Sequence, residues 1–368
     1  MAEPALDEFL SPEGAILREP DQVERALAVM WQEAGGTAAP EADARTVSRV
    51  CVANLVVIAA EQEWNAVLEV LSEITNVYPS RTIVVLLDES LSGAAAQQFR
   101  ASVSALCQVT QPGSPQVCCD QIVLRTGLDD ACRLDRTVLP LLESDVPVMT
   151  WWTIDPARCP TVFDAMRDRS DRLIIDAGLA GLRYLERGVH TNLRELGWYR
   201  THRWRELIAG LFDSCGTEPL NQIERLTISV GEDSPEVRIA AVWLIAFFAG
   251  QLGWSFVSGR PADGPVTSGP LLDAVFDRGG EPVTCAIEKV EGEGLIGIRV
   301  HSRGAHFEAC RAGGELRLVV HEEHVCQAPR YVHLPRRRRS EALVASLTGR
   351  QRDLAFERAA PIAAKLAI

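Results

Sequence analysis

The His and Cys residues near the end of the chain carry the side chains best suited to metal chemistry. The segment His321-Glu-Glu-His324-Val-Cys326 offers imidazole and thiol groups, which are common ligands of protein-bound zinc. Two zinc-binding histidines on a helix must lie four residues apart to share a face, whereas His321 and His324 lie three apart. They also follow a predicted strand, which places them in a turn. The pattern favours a polar loop, and we predict no metal site.

Carboxylates that could serve as general acid and base are numerous in one region of the sequence, at Asp155, Asp164, Asp168, Asp171 and Asp176. In a chain with 50 acidic residues, most such groups cap helices or face solvent. The sequence contains no Gly-rich phosphate loop, no P-loop lysine motif and no Gly-x-Ser-x-Gly elbow. The strands that a dinucleotide would approach are instead followed by Glu61-Gln-Glu63 and Asp88-Glu89, whose charges repel a pyrophosphate. We therefore predict no catalysis by this chain and no cofactor.

Tryptophan and arginine are concentrated in two segments that have the composition of a protein-binding surface. Trp151-Trp152 ends an apolar strand, at the carboxyl edge where open α/β sheets bind ligands. Tryptophans and arginines alternate over residues 195–206, and both types are enriched at binding hot spots. The alternative is that the indoles pack two domains together, with arginines stacked on them. The predicted partner-binding residues are Trp151, Trp152, Asp155, Trp198, Arg200, Arg203, Trp204 and Arg205.

A run of four arginines, Arg336-Arg-Arg-Arg339, is the strongest basic stretch of the sequence. Guanidinium groups at this density suit an anionic partner surface or a phosphorylated metabolite. A solvated loop between a strand and a helix explains the run equally well.

The ten cysteines include no Cys-x-x-Cys motif, so neither a zinc ribbon nor a thioredoxin-type site is indicated. With no secretory signal in the sequence, the default is reduced thiols that act as small buried apolar groups. Cys118 and Cys119 are adjacent in a polar stretch with Pro and Gly nearby. We predict that these two are the most exposed thiols, and a redox role for them stays open beside the structural one.

Strand-like and helix-like periods alternate through the first half of the chain. Continuous apolar runs rich in β-branched residues have the pattern of strands buried on both faces. The predicted strands are 54–60, 81–87, 103–109, 121–125, 147–153 and 172–176, and the predicted helices are 21–34, 64–75, 93–101 and 129–143. Strands separated by helices indicate βαβ units around a largely parallel sheet. We predict an N-terminal α/β domain over residues 1–178.

The second half begins with a predicted helical connector over residues 179–215 and continues as an α+β domain over residues 216–368. Ser234-Pro235 has the pattern of an N-cap followed by proline at the first helical position. The helix that follows is apolar nearly all round, which predicts a buried helix. It is expected to cover an antiparallel meander, and two helices close the chain. The predicted strands are 222–230, 282–290, 295–301, 305–311 and 315–321, and the closing helices are 340–349 and 351–366.

Charge and composition narrow the class of partner. The net charge of −13 argues against a nucleic-acid partner, because phosphate backbones require a concentrated basic surface. The most apolar run, residues 240–250, is about half the length of a membrane span, and the first twenty residues have no apolar core. We therefore expect a cytoplasmic protein that binds neither nucleic acid nor membrane.

Four segments, taken in order, resemble the OpcA family of glucose-6-phosphate dehydrogenase assembly proteins. They are Cys51-Val-Ala-Asn-Leu-Val-Val57, Pro147-Val-Met-Thr-Trp-Trp152 with residues 171–176 after it, the connector residues 198–207, and Leu334-Pro-Arg-Arg337. One departure lies at Thr201-His202-Arg203, where the family usually reads Leu-Thr-Pro. A positive charge here replaces a helix-initiating proline, which affects the expected partner affinity and selectivity.

The resemblance implies a function through binding. It implies a chain that binds glucose-6-phosphate dehydrogenase, promotes its active oligomer and raises its activity in the oxidative pentose-phosphate pathway, with no catalysis of its own. In photosynthetic members of the family, cysteine oxidation is linked to this regulation.

The alternative from a different class is an enzyme or metabolite sensor that acts on a sugar phosphate. Its pocket would lie at the sheet edge near Trp152 and Asp155, and arginines such as Arg158 or Arg205 would bind the phosphate. The missing phosphate loop counts against this alternative.

Overall fold

In the computed structural model the chain divides into two compact units. Unit 1 comprises Met1–Asp176, Asn192–Arg194 and Arg339–Gly349, and unit 2 comprises Ala177–Thr191, Glu195–Arg338 and Arg350–Ile368. The structure describes all residues except 1–3, 37–46, 92–97, 110–115, 128–133, 183, 186–191, 214–215, 233, 262–267, 323–324, 327, 336, 350–351 and 367–368. The predicted domain limits at residues 178 and 215 stay a prediction.

The strands, in chain order, are β1 (Ala15–Ile16), β2 (Val47–Arg49), β3 (Ala53–Ala60), β4 (Ser80–Asp88), β5 (Arg100–Val109), β6 (Gln116–Gly127), β7 (Val148–Trp152), β8 (Arg172–Ile175), β9 (Leu193–Glu195), β10 (Ile223–Val230), β11 (Ser255–Pro261), β12 (Gly269–Arg278), β13 (Glu281–Lys289), β14 (Leu295–Ser302), β15 (Ala305–Ala312), β16 (Glu315–Glu322), β17 (Val325–Cys326) and β18 (Arg330–His333).

The helices are α1 (Leu6–Leu10), α2 (Pro20–Gly36), α3 (Trp64–Ile74), α4 (Leu134–Val138), α5 (Pro160–Arg169), α6 (Ala177–Ala180), α7 (Leu196–Arg200), α8 (His202–Phe212), α9 (Glu218–Asn221), α10 (Pro235–Leu252), α11 (Arg339–Thr348) and α12 (Leu354–Lys365).

The sheet of unit 1 is built around β3, which is buried over its whole length. The neighbouring strands β6-β4-β3-β7-β8 run parallel, and β5 lies antiparallel beside β6. The apolar, β-branched sequences of β3 and β4 explain this central position, because such strands need both faces covered. The predicted α/β fold with a mostly parallel sheet is confirmed.

The strand order of unit 1 is that of a doubly wound nucleotide-binding sheet. Two strands, β4 and β6, follow on one side of β3, and β7 and β8 follow on the other. In a sheet of this order, the strands that follow the first one are added on one side of it, and those from the fourth onward are added on the other side. Ligands bind in the crevice between the first and fourth strands, which is called the switch point. In this chain the switch point lies between the carboxyl ends of β3 and β7.

Two predicted helices of unit 1 differ from the structure. Residues 92–97 lie outside the described ranges, and residues 100 and 101 belong to β5, so the helix predicted over 93–101 is wrong at its end. Pairing of Arg100 with Arg125 on β6 draws this segment into the sheet. Of the helix predicted over 129–143, residues 129–133 lie outside the described ranges, and the described part contains α4 and one 3₁₀ turn, Leu139–Leu141, which includes Pro140. Proline has no backbone N–H to continue an α-helix.

The sheet of unit 2 has the order β11-β12-β13-β10-β14-β15-β16-β17, with β18 beside β16. Strands β14, β15 and β16 are consecutive antiparallel neighbours, as predicted. The predicted meander is wrong at its first connection, because β10 lies between β13 and β14. The hairpin β11–β12 was not predicted, since β11 is mostly exposed and its sequence contains Gly259 and Pro261.

The loop between β13 and β14 crosses the end of β10. The Val290 N–H donates to the Val230 carbonyl at 2.8 Å, and the Gly231 N–H donates to the Gly294 carbonyl at 2.9 Å. A Cβ atom on Gly231 would lie 2.1 Å from the carbonyl carbon of Gly292. Only glycine permits this close approach of two main chains, which explains how a short loop steps over a strand.

The buried helix of unit 2 is α10. The Ser234 hydroxyl accepts from the Val237 N–H, Pro235 holds the first helical position, and Gly253 ends the helix with φ of 69°. The helix packs on β10, β13 and β14 and on α12. Its length and hydropathy would allow a membrane span, yet most of it is buried inside unit 2. The predicted buried helix over the sheet is confirmed.

Candidate functional site

Trp151 and Trp152 lie in the core of unit 1. Both indoles on β7 are fully buried, and Trp152 makes an edge-to-face contact with Phe163 of α5 at 5.1 Å between ring centroids. Asp155 lies at the surface three residues further along, where its carboxylate accepts from the Ala157 N–H at 2.9 Å. Of the residues predicted at this sheet edge, only Asp155 is accessible to a partner.

Trp198 anchors the connector inside unit 2. Its indole N–H donates to the Asp353 carboxylate at 2.8 Å, and the Arg205 guanidinium stacks on its ring at 3.5 Å. Arg205 also donates to the hydroxyl of Thr201 at 2.7 Å. Burial lowers the pKa of Arg205 to about 9, so the group is still cationic at neutral pH. Trp198 and Arg205 form a packed pair that holds α7 against α8.

The carboxylate of Glu195 fixes the start of α7. Glu195 is fully buried, and its two oxygens accept from the Trp198 N–H at 2.7 Å and from the Ala177 N–H at 3.0 Å. A carboxylate at this position satisfies helix N–H groups that have no intrahelical partner. The first helical turn of the connector is therefore set by a local sequence signal, Glu195 followed by residues 196–200.

The remaining connector residues open onto a cleft in unit 2, which we call the arginine cleft. It has a volume of about 220 Å³. Its charged lining residues are Arg200, Arg203, Arg311, Arg337, Glu232 and Glu236, and its apolar lining includes Trp204, Val237, Ala240, Leu295, Leu334 and Pro335. Three residues predicted from the sequence, Arg200, Arg203 and Trp204, are brought together here.

Three of the guanidinium groups are held in place by neighbouring groups. Arg311 donates to the carbonyls of Leu295 and Leu334, both at 3.0 Å, and lies 5.8 Å from the ring centroid of Trp204. Arg337 donates to the Tyr199 carbonyl at 2.9 Å. Arg200 forms an ion pair with Glu236 at 3.0 Å. Arg203 is exposed on the first turn of α8.

The charged residues that the structure describes along the cleft are mostly basic. They are four arginines and two glutamates, and Glu236 is paired with Arg200. The first turn of α10, the 18-residue helix, forms part of the wall and adds the positive end of its dipole. Burial lowers the pKa of the nearby His202, against the raising effect of Glu206, and Arg205 and Arg337 add to that lowering. The cleft is thus suited to an anion.

Sequence reasoning found part of this site. Arg337 belongs to the basic run 336–339, of which Arg336 lies outside the described residues. Arg339 instead forms an ion pair with Asp176 at 3.1 Å within unit 1. Arg311 and Glu232 were missed, because they come from separate strand ends and no local pattern marks them.

The predicted exposure of Cys118 and Cys119 is wrong. Both side chains are buried in β6, and Cys118 is joined to Cys107 of β5 by a disulfide. The pairing of β5 with β6 extends β6 back to Gln116, so both cysteines lie inside a strand, whereas residues 110–115 are outside the described ranges. Burial raises the pKa of the Cys119 thiol to about 11. A redox role for this pair stays a prediction.

At the switch point of unit 1, acidic side chains stand where a phosphate loop would be. Glu61 follows β3 directly and pairs with Arg125 of β6 at 3.3 Å. Arg158, proposed as a phosphate ligand in the alternative function, forms an ion pair with Glu89 at 2.6 Å. The dinucleotide position is therefore lined by carboxylates, two of which hold arginines.

Histidines form a row across the sheet of unit 2. His301, His306 and His321 lie opposite one another on β14, β15 and β16. Among the residues that the structure describes, no group of three His, Cys, Asp or Glu side chains is arranged to hold a metal ion. His324 lies outside the described ranges, and so does its neighbour Glu323.

The folds of the two units are those of an α/β protein: unit 1 has a doubly wound, mostly parallel sheet, and unit 2 has a mostly antiparallel one. The chain is similar in structure to glucose-6-phosphate 1-dehydrogenase from Mycobacterium avium, with a TM-score of 0.51 and 11% sequence identity, over 86% of this chain and 91% of that one. At this identity the likeness shows the fold alone.

Sequence models of protein families show a more specific relationship than this structural likeness does. Residues 71–186 match the OpcA model described as glucose-6-phosphate dehydrogenase subunit N-terminal domain, and residues 191–360 match the one described as the C-terminal domain. The two matches cover most of the chain. The chain belongs to the OpcA family.

Two relatives carry the name OxPP cycle protein OpcA. The chain is 26% identical to the one from Synechococcus elongatus over 186 residues, which is 48% of this chain and 41% of that protein. It is 28% identical to the one from Nostoc punctiforme over 174 residues, which is 45% of this chain and 37% of that protein. The match to this chain therefore spans about two fifths of the length of each relative.

Proposed function

We propose that this chain binds glucose-6-phosphate dehydrogenase, promotes its active oligomer and thereby raises its activity. The observation that carries the proposal is membership of the OpcA family, whose two domain models match residues 71–186 and 191–360. The relatives named as OxPP cycle proteins support the same pathway.

The site at the sheet edge of unit 1 supports a role without catalysis by this chain. A doubly wound sheet uses the helix N-terminus after its first strand to bind pyrophosphate. Here Glu61 occupies the position after β3 and is paired with Arg125. The fold of a dehydrogenase would then serve as a scaffold for binding another protein.

The mechanism of activation is a linked equilibrium. A partner that binds the active oligomer of the dehydrogenase more tightly than its inactive form shifts the population by the difference in binding free energy. A coupling of about 1–3 kcal/mol, the usual range, raises activity roughly 5- to 150-fold when the inactive form predominates.

The contact residues of the proposal are the accessible members of the predicted set. Asp155 and Arg203 reach the surface, whereas the side chain of Arg200 is only 9% exposed and the four tryptophans and Arg205 are buried. The buried residues hold the connector in shape, and the charged side chains face the partner. Charge on such a rim acts mainly on association rate and selectivity.

The proposal is tested by titrating the chain into the dehydrogenase of the same organism while its rate is measured. We expect the rate to rise to a plateau, and analytical ultracentrifugation to detect a complex and a larger dehydrogenase oligomer. Arg203→Glu should weaken activation at least fivefold. Arg303→Glu, a charge reversal on the turn after β14, is the matched control and should leave activation unchanged.

Absence of both a rate change and a complex would exclude the function itself. A normal response of Arg203→Glu would retain the function and exclude the contact surface proposed for it.

A further inference from the structure

The arginine cleft concentrates positive charge in a strongly acidic chain. The net charge is −13, yet four arginines line one cleft of about 220 Å³. Guanidinium groups from four residues are thereby gathered in one cleft with the carboxylates of Glu232 and Glu236. An anion bound there would be attracted by these guanidinium groups and could accept hydrogen bonds from them.

The arginines come from segments far apart in the sequence. Arg200 and Arg203 belong to the connector, Arg311 to β15, and Arg337 to the segment after β18. Backbone carbonyls orient Arg311 and Arg337, and Glu236 orients Arg200. Groups oriented before binding lose little conformational entropy when a ligand arrives.

The lining also has an apolar part. Val237 and Ala240 of α10 lie with Leu295, Leu334 and Pro335 around the same cleft as the guanidinium groups. A ligand pocket typically combines apolar walls with a few polar groups that fix the orientation of the ligand. The composition suits a compact molecule with one strongly anionic end and a short carbon skeleton.

We propose that the arginine cleft binds a small phosphorylated metabolite, with Arg203, Arg311 and Arg337 around the phosphate and the apolar residues against its carbon skeleton. Arginine is the side chain best matched to phosphate, because its planar fork can donate two parallel hydrogen bonds. The cleft belongs to unit 2, whereas the alternative function was predicted at a sheet edge that belongs to unit 1.

The size of the cleft favours a small molecule over a protein segment. At about 220 Å³ it is smaller than the roughly 300 Å³ at which pockets for drug-sized ligands begin. A dinucleotide exceeds this space, and a sugar monophosphate is nearer its scale. The class of ligand is therefore a monophosphate rather than a pyrophosphate-linked cofactor.

Replacement of Glu232 provides a test in which the binding of the ligand should become tighter rather than weaker. Its carboxylate lines the cleft and accepts from the Ser234 hydroxyl at 3.4 Å. A phosphate dianion would be repelled by this charge. Glu232→Gln keeps the shape and most of the hydrogen-bonding capacity, so it should tighten the binding of a phosphate ester while removing Arg203 should weaken it.

Isothermal titration calorimetry of the full chain, without any dehydrogenase, tests the proposal. The probes are inorganic phosphate, glucose 6-phosphate, ribose 5-phosphate and, as the uncharged comparison, glucose. We expect saturable binding of at least one sugar phosphate, no binding of glucose, at least tenfold weaker binding in Arg203→Ala and at least twofold tighter binding in Glu232→Gln. Arg303→Ala, which removes an arginine outside the cleft, should bind as the wild type does.

If Arg203→Ala and Arg303→Ala weakened the binding of the sugar phosphate equally, the loss would be explained by the net charge of the chain alone. That result would overturn the proposal. No binding of any phosphorylated probe, or binding only of an acidic peptide tested in parallel, would overturn it as well. Because the dehydrogenase is absent, these outcomes are independent of whether the chain activates that enzyme.

Discussion

At the scale of single residues, the alternating Trp and Arg of the connector have two different environments. Trp198, Trp204 and Arg205 are buried, and Arg203 is exposed. The same residue types can serve as hot spots of an interface or as the packing of a core, so their composition alone does not distinguish these roles. Burial decides which of these side chains a partner can reach.

Replacement of Trp198 tests whether the buried side chains of the connector serve to stabilise the fold. Trp198→Ala removes a fully buried indole, its hydrogen bond to Asp353 and the ring beneath Arg205, and should lower the free energy of unfolding by about 3–5 kcal/mol. Arg203→Ala should change it by less than about 0.5 kcal/mol. Urea denaturation followed by circular dichroism measures both. Similar losses in the two variants would contradict the burial of the connector.

The row of histidines predicts a dependence of stability on pH. Burial lowers the pKa of His306, and His301 adds to the lowering. Glu308 raises this pKa, and His321 and Arg299 make smaller lowering contributions. A histidine with a lowered folded pKa contributes its full stability above its unfolded pKa of about 6.5. This contribution is lost as the pH falls from there through the folded pKa, because the unfolded chain takes up the proton more readily.

Thermal unfolding at pH 7.5 and 5.5 measures this effect. The drop in Tm between the two values should be smaller in His306→Gln than in the wild type. His333→Gln, which replaces an exposed histidine on β18, is the control and should keep the full drop. A drop in His306→Gln as large as in the wild type would show that His306 does not carry the effect.

At the scale of elements, the step of the β13–β14 loop over β10 depends on Gly231. Gly231→Ala places a methyl group against the main chain of Gly292 and should destabilise the chain by about 1–3 kcal/mol or more. Gly210→Ala, inside α8 with its nearest new contact at 3.9 Å, should stabilise it by about 0.5–1 kcal/mol. Equilibrium denaturation measures the free energy of unfolding of both variants. Changes of the same sign in the two would refute this account of the crossing.

At the scale of the whole molecule, the doubly wound sheet of unit 1 has acidic side chains at its switch point. Glu61 stands directly after β3, and Glu89 and Arg125 lie near the ends of neighbouring strands. A pyrophosphate at this position would meet carboxylates where glycine N–H groups are required. This arrangement supports the proposal that the molecule acts through binding surfaces rather than through a nucleotide crevice.

Thermal unfolding in the presence of a dinucleotide tests whether the switch point excludes such a cofactor. We expect neither NAD⁺ nor NADP⁺ at millimolar concentration to raise the Tm of the chain, whereas a ligand at 100 times its Kd would add about 2.7 kcal/mol of stability. A dehydrogenase of known cofactor use, treated in the same way, is the positive control. A saturable rise in Tm would contradict the absence of a cofactor and reopen an enzymatic role.

The sequence by itself determined the features that depend on local periodicity. The β-branched runs of β3 and β4, the Ser234-Pro235 start of α10 and the alternating strands β14 to β16 were all predicted, since each is encoded by neighbouring residues. Four short segments in a fixed order were also enough to indicate the OpcA family.

Only the tertiary structure decided which side chains meet. Insertion of β10 between β13 and β14 and the burial of Cys118 depend on strand pairing between distant segments. The arginine cleft joins Arg203 to Arg311 and Arg337, more than 100 residues away in the chain. Periodicity reports which face of an element is apolar, whereas the neighbour of that face is set by the packing of the whole unit.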